Sequence, residues 1–229
     1  MKLLNESPDT DQLPAEPATA AATTDPVDQL NPAAAAEPQV NDFLELDLPK
    51  ELYLAIDKLG FTTSTTIQKE VLPYSLDGRD IIAQAQTGTG KTAAFLISVI
   101  TYHLEHPEYD PRPAGTPFAL IIAPTRELVM QIAEDAISLS LFTDLSVLSV
   151  VGGMDYERQK NQLKGPIDII IATPGRLLDF CRTGVINLSR VETLIIDEAD
   201  RMLSMGFIPD VKSIISKTPA KQKRQTQLF

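Results

Sequence analysis

The sequence predicts an α/β fold in which a mostly parallel β-sheet is covered by helices on both faces. Apolar runs of strand length alternate along the chain with segments of helical periodicity. One apolar run leads through a glycine-rich loop into a helical segment, and another ends directly in paired carboxylates. Strands that are apolar throughout are buried on both faces, and their alternation with helices is typical of a parallel sheet.

Six strands and seven helices are predicted. The strands are expected at residues 80–84, 118–123, 145–151, 167–172, 191–197 and 225–229. The helices are expected at residues 49–59, 67–76, 91–103, 126–141, 156–163, 175–180 and 208–216. Pro73 is expected to bend the second helix, and the four prolines of residues 107–117 predict an extended surface loop.

Residues 1–42 differ in composition from the rest of the chain. They are rich in alanine, proline, threonine and acidic residues, and no aromatic residue precedes Phe43. Because such a segment cannot bury enough apolar area to offset the loss of chain entropy, we predict a disordered tail. The tail holds eight of the 31 acidic residues against one lysine, so much of the net charge of −11 lies there. Its role could be to recruit a partner protein or only to maintain solubility.

Composition also limits the class of protein. Cys181 is the only cysteine, which excludes an intrachain disulfide and fits a reducing cytoplasm. It lies in an apolar run and is expected to be a small buried side chain rather than a nucleophile. His103 and His106 offer no metal cluster, and the sequence shows neither a signal peptide nor an apolar run of about 18 residues. We therefore expect a cytoplasmic protein without membrane contact.

Residues 85–92, Ala-Gln-Thr-Gly-Thr-Gly-Lys-Thr, lie between a predicted strand and a predicted helix, as a phosphate-binding loop does. Gly88 and Gly90 allow backbone N–H groups to converge on phosphates without a Cβ in the way. Lys91 would reach the β- and γ-phosphates, and the Thr92 hydroxyl would ligate Mg²⁺. The alternative is an ordinary glycine turn before a helix.

Acidic residues follow the predicted strand at 191–197. Asp197 would hold Mg²⁺ through water, because this hard cation prefers oxygen ligands and keeps part of its hydration shell. Glu198 would position and deprotonate an attacking water. A solvated turn is the alternative, but three acids within four residues (Asp197, Glu198 and Asp200) after an apolar strand favour a metal. Lys91, Asp197 and Glu198 are therefore the candidate catalytic residues.

Taken in order, six motifs resemble those of the DEAD-box RNA helicases. They are Gly60-Phe61 to Ile67-Gln68, residues 85–92, Pro124-Thr125-Arg126-Glu127-Leu128, Gly152-Gly153, Thr173-Pro174-Gly175-Arg176 and Asp197-Glu198-Ala199-Asp200. The resemblance runs from about Phe43 to Phe229. It implies the RecA-like P-loop NTPase fold of an N-terminal, ATP-binding helicase lobe from a bacterial family member. ATP and Mg²⁺ are the implied cofactors, and ATP hydrolysis coupled to RNA duplex unwinding is the implied activity.

The resemblance also implies how the base is recognised, within a Q motif at about residues 41–69. Gln68 matches the residue that pairs with N6 and N7 of adenine, since an amide offers both a donor and an acceptor. Phe43 matches an upstream aromatic residue that packs against the base, although it could serve only as a core anchor. Ser64 and Thr66 replace the usual prolines, which predicts a looser loop and weaker adenine binding. The expected nucleotide contacts are Phe43, Phe61, Gln68, Ala85, Gln86, Thr87, Gly88, Thr89, Gly90, Lys91, Thr92, Asp197 and Asp200.

Three motifs match the segments that grip the RNA backbone in this family. Each follows a predicted strand, where helix N-termini and small residues can offer N–H groups to phosphates. Because phosphate and sugar contacts carry no base code, RNA binding should be largely independent of sequence. The expected RNA contacts are Thr125, Arg126, Gly152, Gly153, Thr173, Gly175 and Arg176. Arg176 could instead be a structural salt-bridge partner, and Asp200 is expected to bond to neighbouring motifs rather than to nucleotide.

The chain ends at Phe229, before the Ser-Ala-Thr motif and the second lobe that follow in the family. Because that lobe supplies an arginine finger, typically worth about 10³–10⁵ in rate, this lobe alone is expected to hydrolyse ATP poorly. Two alternatives are a DNA-directed helicase and a non-catalytic fragment that binds nucleotide, RNA or a partner. Comparing RNA- with DNA-stimulated hydrolysis would test the first. The presence of Lys91 and Glu198 argues against the second.

Overall fold

A computed structural model describes residues 42–107 and 112–229. The predicted tail, apart from its last residue, and the centre of the predicted proline-rich loop lie outside the described residues. Asp42, assigned to the tail from composition, begins a short 3-10 helix, Asp42–Glu45.

One six-stranded parallel sheet forms the centre of the fold. Its strand order is β1-β6-β5-β2-β4-β3, and every neighbouring pair is parallel. The strands are β1 Ile81–Ile82, β2 Ala119–Ile122, β3 Val147–Val150, β4 Ile169–Ala172, β5 Thr193–Ile196 and β6 Gln225–Leu228. The prediction of a mostly parallel sheet is confirmed.

Helices connect the strands. They are α1 Lys50–Lys58, α2 Thr66–Leu76, α3 Lys91–Glu105, α4 Arg126–Leu139, α5 Tyr156–Gln162, α6 Pro174–Arg182, α7 Ala199–Ser204 and α8 Ile208–Ile215, with a 3-10 turn at Lys221–Lys223. None of the helices in the two described ranges has the length and apolar character needed to cross a membrane.

The largest differences between prediction and structure concern one helix and one strand. The helix α7 was not predicted, because its six residues overlap the acidic motif and are too few to show a helical period. The first strand is shorter than residues 80–84 and covers only Ile81 and Ile82. It lies at the edge of the sheet, and Ile82 is 86% exposed, so burial on both faces was wrong for this strand.

Alternate side chains of the central strands enter two separate hydrophobic cores. In β2, Ala119 and Ile121 pack with the helices α1 to α4, whereas Leu120 and Ile122 pack with residues of the segment from α5 to α8. This alternation places helices on both faces, as predicted. It also leaves the carboxyl ends of the strands uncovered by either helical layer, which is where a ligand can bind.

Candidate functional site

The predicted motifs lie along one edge of the sheet, because parallel strands all end on the same side. The phosphate-binding loop (residues 85–92) follows β1, and the acidic motif follows β5; only β6 separates these two strands. The three predicted RNA motifs follow β2, β4 and β3, which are neighbours in the other half of the sheet. The edge therefore has a candidate nucleotide half and a candidate RNA half.

Gly90 closes the phosphate-binding loop at the N-terminus of α3. Its φ of 92° lies in the left-handed region, which favours glycine. A Cβ at this position would lie 2.6 Å from Nε2 of Gln68 and 2.9 Å from Oγ1 of Thr65. Both the conformation and the close approach therefore require glycine, and they bring the Q motif against the loop.

Lys91 lies at the first position of α3, and its ammonium group turns back into the loop. Nζ donates to the carbonyl oxygens of Ala85 and, at 3.1 Å, of Gln86. The Thr89 hydroxyl donates to the same Gln86 oxygen at 2.7 Å. These bonds hold the loop in a compact ring around a positive charge, which is the arrangement that a phosphate group needs.

Asp197 is a buried carboxylate at the carboxyl end of a central strand. It follows β5, is only 3% exposed, and accepts the N–H of Glu198 at 3.0 Å. Burial raises the pKa of its carboxyl group above the ordinary value, while that N–H and the Lys91 ammonium act in the opposite direction. The buried carboxylate thus lies within the field of the loop lysine.

Glu198 has an unusual backbone conformation. Among residues 42–107 and 112–229 it is the one non-glycine residue with positive φ, at φ 50° and ψ 49°. This left-handed conformation costs roughly 1–2 kcal/mol for an ordinary residue. The Glu198 carboxylate pairs with Arg201 one turn later, at 2.9 Å. Strain of this kind is found at functional sites, where the surrounding structure maintains it.

A cleft of about 400 Å³ joins these groups. Thr87, Gly88, Gly90, Lys91, Thr92, Asp197 and Glu198 line it. Leu59 and Phe61 contribute an apolar part, and one face of α4 completes the lining. One buried carboxylate and one hydroxyl meet the needs of Mg²⁺, which keeps several waters and takes its other ligands from substrate phosphates. No group of three or more His, Cys, Asp or Glu side chains suited to a metal occurs in the described ranges.

In the candidate RNA half, the loops after β2 and β3 touch each other. Thr125 caps α4 by accepting the N–H of Leu128 at 3.3 Å. Gly153 has a φ of 75°, and a Cβ there would collide with the guanidinium of Arg126. At Gly152 and Gly175, by contrast, a Cβ would meet only open space. The surface thus has room for a ligand beside backbone N–H groups.

Arg176 lies below the loop after β3. Its two terminal nitrogens both donate to the Met154 carbonyl at 3.3 Å, and its guanidinium lies 5.4 Å from the Tyr156 ring centre and 5.8 Å from that of Phe180. Arg176 thus contacts a backbone carbonyl and two aromatic rings of this region, and its role in RNA binding stays a prediction. Thr173, also predicted here, precedes Pro174 and is the N-cap of α6.

Comparison with known proteins decides the family. Residues 65–229, most of the chain, match the sequence profile described as DEAD/DEAH box helicase. The chain belongs to this family. It is 55% identical over 188 residues to the ATP-dependent RNA helicase RhlB of Pseudomonas aeruginosa (82% of this chain, 47% of the relative). It is 43% identical over 187 residues to RhlB of Photorhabdus laumondii (82% and 44%).

A solved structure agrees with this DEAD-box assignment. The hypothetical ATP-dependent RNA helicase from Sulfolobus tokodaii superposes with a TM-score of 0.70 and 38% identity, over 80% of this chain and 50% of that one. The RecA-like helicase fold and the bacterial relatives confirm the predicted fold class and family. The chain spans about half the length of the curated relatives it matches.

The Q motif of this DEAD-box chain differs in part from the sequence-based picture. Gln68 is 4% exposed; its Oε1 accepts the N–H of Thr65 at 2.9 Å, and its Nε2 donates to the Gly90 carbonyl at 3.1 Å. One donor and one acceptor position of the amide stay unused by these bonds. Phe61 lines the cleft, whereas Phe43 is 1% exposed and lies in the core, 6.4 Å from Phe61 between ring centres. The burial of Phe43 therefore supports the alternative that this residue anchors the core.

The loop before Gln68 is held by hydrogen bonds, which argues against the predicted looseness, and its adenine affinity stays a prediction. Ser64 is only 9% exposed, and both its N–H and its hydroxyl donate to Asp42 at 3.2 Å. Thr65 forms a capping box with Gln68 at the start of α2. Hydrogen bonds thus hold the positions around Thr65 where the family commonly has proline.

Asp200 and Cys181 do not line the cleft, although Asp200 lines an adjoining pocket together with Lys91 and Glu198. The Asp200 carboxylate is exposed and accepts the N–H of Arg201 at 2.8 Å, so the bond shown is to its own neighbour and not to another motif. Cys181 is half-buried, and burial raises the pKa of its thiol to about 11. The thiol is therefore protonated at neutral pH, as expected for a side chain that is not a nucleophile.

Four residues near this edge were not predicted from the sequence: three on α4 and one on α5. Gln131, Asp135 and Ser138 line the cleft from α4. Their spacing of four and three residues, which marks one helix face, was a usable signal. Gln159, on α5, is 2% exposed and bonds to both the N–H and the carbonyl of Val151, at 3.0 and 3.2 Å. It secures the residue before Gly152, but a single glutamine in a polar helix gave no such indication.

Proposed function

We propose that residues 43–229 form the ATP- and RNA-binding lobe of an ATP-dependent RNA helicase, and that the whole protein couples ATP hydrolysis to RNA duplex unwinding. The observation that carries this proposal is the arrangement of the sheet edge. A phosphate-binding loop and a strained acidic motif share one cleft, and the RNA motifs of the family follow the adjacent strands. Relatives at 55% and 43% identity are named as ATP-dependent RNA helicases.

Each group in the nucleotide half has a proposed role. Lys91 and the loop N–H groups bind the phosphates, and Thr92 and Asp197 hold Mg²⁺, the latter through water. When bound, Mg²⁺ would supply charge neutralisation at the phosphates. Glu198 holds the attacking water and accepts its proton at a carboxylate oxygen. Its place beside Asp197 in the lining of the same cleft supports this role.

The RNA half would hold the sugar–phosphate backbone. Thr125 and Thr173 stand at the N-termini of α4 and α6, where N–H groups and the helix dipole favour phosphate. Gly152 and Gly175 allow close approach, and Arg126 adds positive charge at an exposed position. Such contacts do not discriminate between bases, so the RNA bound would be of any sequence.

Replacement of Gln68 by alanine should remove the preference of this chain for adenine nucleotides. The unused donor and acceptor of its amide match N7 and N6 of adenine, whereas guanine presents two acceptors, N7 and O6, at the same edge. In Mg²⁺, the chain should bind ADP at least about tenfold more tightly than GDP, and Gln68→Ala should make the two affinities similar. Calorimetric titration measures both. Gln162→Ala, an exposed glutamine on α5, is the matched control. Equal affinity of the unmodified chain for ADP and GDP would contradict the assignment of ATP.

A further inference from the structure

We propose that Asp42 is a positioning residue for adenine recognition, acting through Ser64 on the Thr65–Gln68 capping box. The proposal rests on the proposed function, since it concerns how Gln68 is held at the nucleotide. Asp42 itself does not line the cleft that contains Lys91 and Asp197. Its effect would pass through three hydrogen-bonded contacts, Asp42 to Ser64, Thr65 to Gln68 and Gln68 to Gly90, the last in the phosphate-binding loop.

The Asp42 carboxylate is a node for three donors. Its Oδ2 accepts the N–H of Ser64 at 3.2 Å, the Ser64 hydroxyl at 3.2 Å and the Lys69 ammonium at 3.0 Å. The Asp42 N–H donates in turn to the Thr62 carbonyl at 3.2 Å. One residue therefore ties together both sides of the loop 62–65 and the first turns of α2.

The core fixes the position of this node. Phe43, the next residue, is 1% exposed and packs with the core cluster that contains α1 to α4. Packing of Phe43 in the core therefore restrains Asp42 even if the loop 62–65 is displaced. The carboxylate acts as a fixed acceptor against which Ser64 is held.

From Ser64 the constraint reaches Gln68 directly. Thr65 donates its N–H to Oε1 of Gln68, and Nε2 of Gln68 donates to the Gly90 carbonyl. The space at Gly90 is closed, because a Cβ there would lie 2.6 Å from Gln68 and 2.9 Å from Thr65. A displacement of Thr65 would thus change both the orientation of the Gln68 amide and its contact with the phosphate-binding loop.

The hydrogen bonds to Ser64, rather than the ion pair with Lys69, carry most of this effect. The Lys69 side chain is 58% exposed, and an ion pair at the surface contributes little. Ser64 is 9% exposed. If the Asp42 carboxylate were removed, the N–H and hydroxyl of Ser64 would lose their hydrogen-bond acceptor, and water would replace it only in part. The bonds from Lys69 and Ser64 lower the pKa of the Asp42 carboxyl, which therefore stays ionised at neutral pH.

Nucleotide titration of the Asp42→Ala variant of the chain tests this inference. In Mg²⁺, its ADP affinity should fall by about three- to tenfold, while its GDP affinity stays the same, because GDP does not use the Gln68 amide. The ratio of ADP affinity to GDP affinity should therefore fall by the same factor. Asp77→Ala is the matched control: Asp77 follows α2 and pairs with Arg79 at 2.9 Å, but does not contact Ser64. It should bind ADP as the unmodified chain does.

Two further variants separate positioning from stability. Asp42→Asn keeps an acceptor oxygen for Ser64 and should retain ADP affinity within about twofold. Ser64→Ala removes one of the two donors without touching Asp42, and should narrow the preference by less than Asp42→Ala does. It tests the proposal even if Asp42→Ala fails to fold.

The outcomes distinguish this inference from the proposed function. If the unmodified chain binds ADP and GDP equally, the proposed function fails. If it prefers ADP and Asp42→Ala keeps the same preference, the positioning role alone is overturned. An equal loss of ADP and GDP affinity, or an Asp42→Asn variant as weak as Asp42→Ala, would also overturn it.

Discussion

Replacement of Glu198 by glutamine should lower RNA-stimulated ATP hydrolysis by roughly 10²–10⁴-fold in a protein with the full length of the relatives. An amide cannot accept the proton of the attacking water, so the proposed base is lost. Glutamine has nearly the same size as glutamate and pays a similar cost for the left-handed backbone at this position. ATP binding should therefore stay within about twofold of the unmodified protein. Single-turnover hydrolysis and ATP titration measure the two effects separately.

Glu157→Gln is the matched control for this variant. Glu157 pairs with Lys160 three residues later, at 3.8 Å, much as Glu198 pairs with Arg201, but it lies on α5, outside the cleft. Its replacement should leave hydrolysis unchanged. A hydrolysis rate close to normal in Glu198→Gln would show that another group accepts the proton.

Replacement of Gln159 by leucine should lower the free energy of unfolding by about 2–4 kcal/mol. Val151 is fully buried, and its N–H and carbonyl would both lose the partner that Gln159 provides. The segment after Val151 carries Gly152 and Gly153, so RNA affinity should fall as well. Nucleotide affinity should not change, because Gln159 lies on the other half of the sheet edge. Urea denaturation and RNA titration of the folded variant measure these effects.

Gln162→Leu serves as the comparison on the same helix. Gln162 is exposed, and replacement of such a surface side chain should change stability by no more than about 0.5 kcal/mol. If Gln159→Leu were as stable as Gln162→Leu, the buried hydrogen bonds to Val151 would contribute nothing measurable to the free energy of unfolding. If Gln159→Leu were destabilised but bound RNA normally, Gln159 would stabilise the fold without affecting RNA binding.

The central strands could be predicted from sequence because their physical requirements are simple. The strands β2, β4 and β5 are buried on both faces, so nearly every residue in them is apolar and the pattern is local. The edge strand β1 has only one neighbour, β6, and its length depends on that pairing rather than on its own sequence. The short helix α7 likewise depends on the turn that Glu198 makes, which no periodicity reveals.

The same distinction applies to the candidate site. The phosphate-binding loop and the acidic motif were found because each is a continuous segment directly after a strand. The residues that hold these segments in place were not predicted, because their hydrogen-bond partners are distant in the sequence. Asp42 bonds to Ser64, 22 residues away, and Gln68 bonds to Gly90, also 22 residues away. The missing prolines suggested a loose loop, whereas the structure shows that Ser64 in this loop bonds to Asp42.

The most direct test of the account is to measure ATP and GTP hydrolysis by the full-length protein, with and without single-stranded RNA of unrelated sequences. We propose that the nucleotide and RNA contacts lie on two halves of one sheet edge and that Gln68 selects adenine. We therefore expect that each RNA stimulates ATP hydrolysis, that DNA of the same sequence does so far less, and that GTP is a poor substrate. An ATP hydrolysis rate that RNA leaves unchanged, or equal hydrolysis of ATP and GTP, would contradict this proposal.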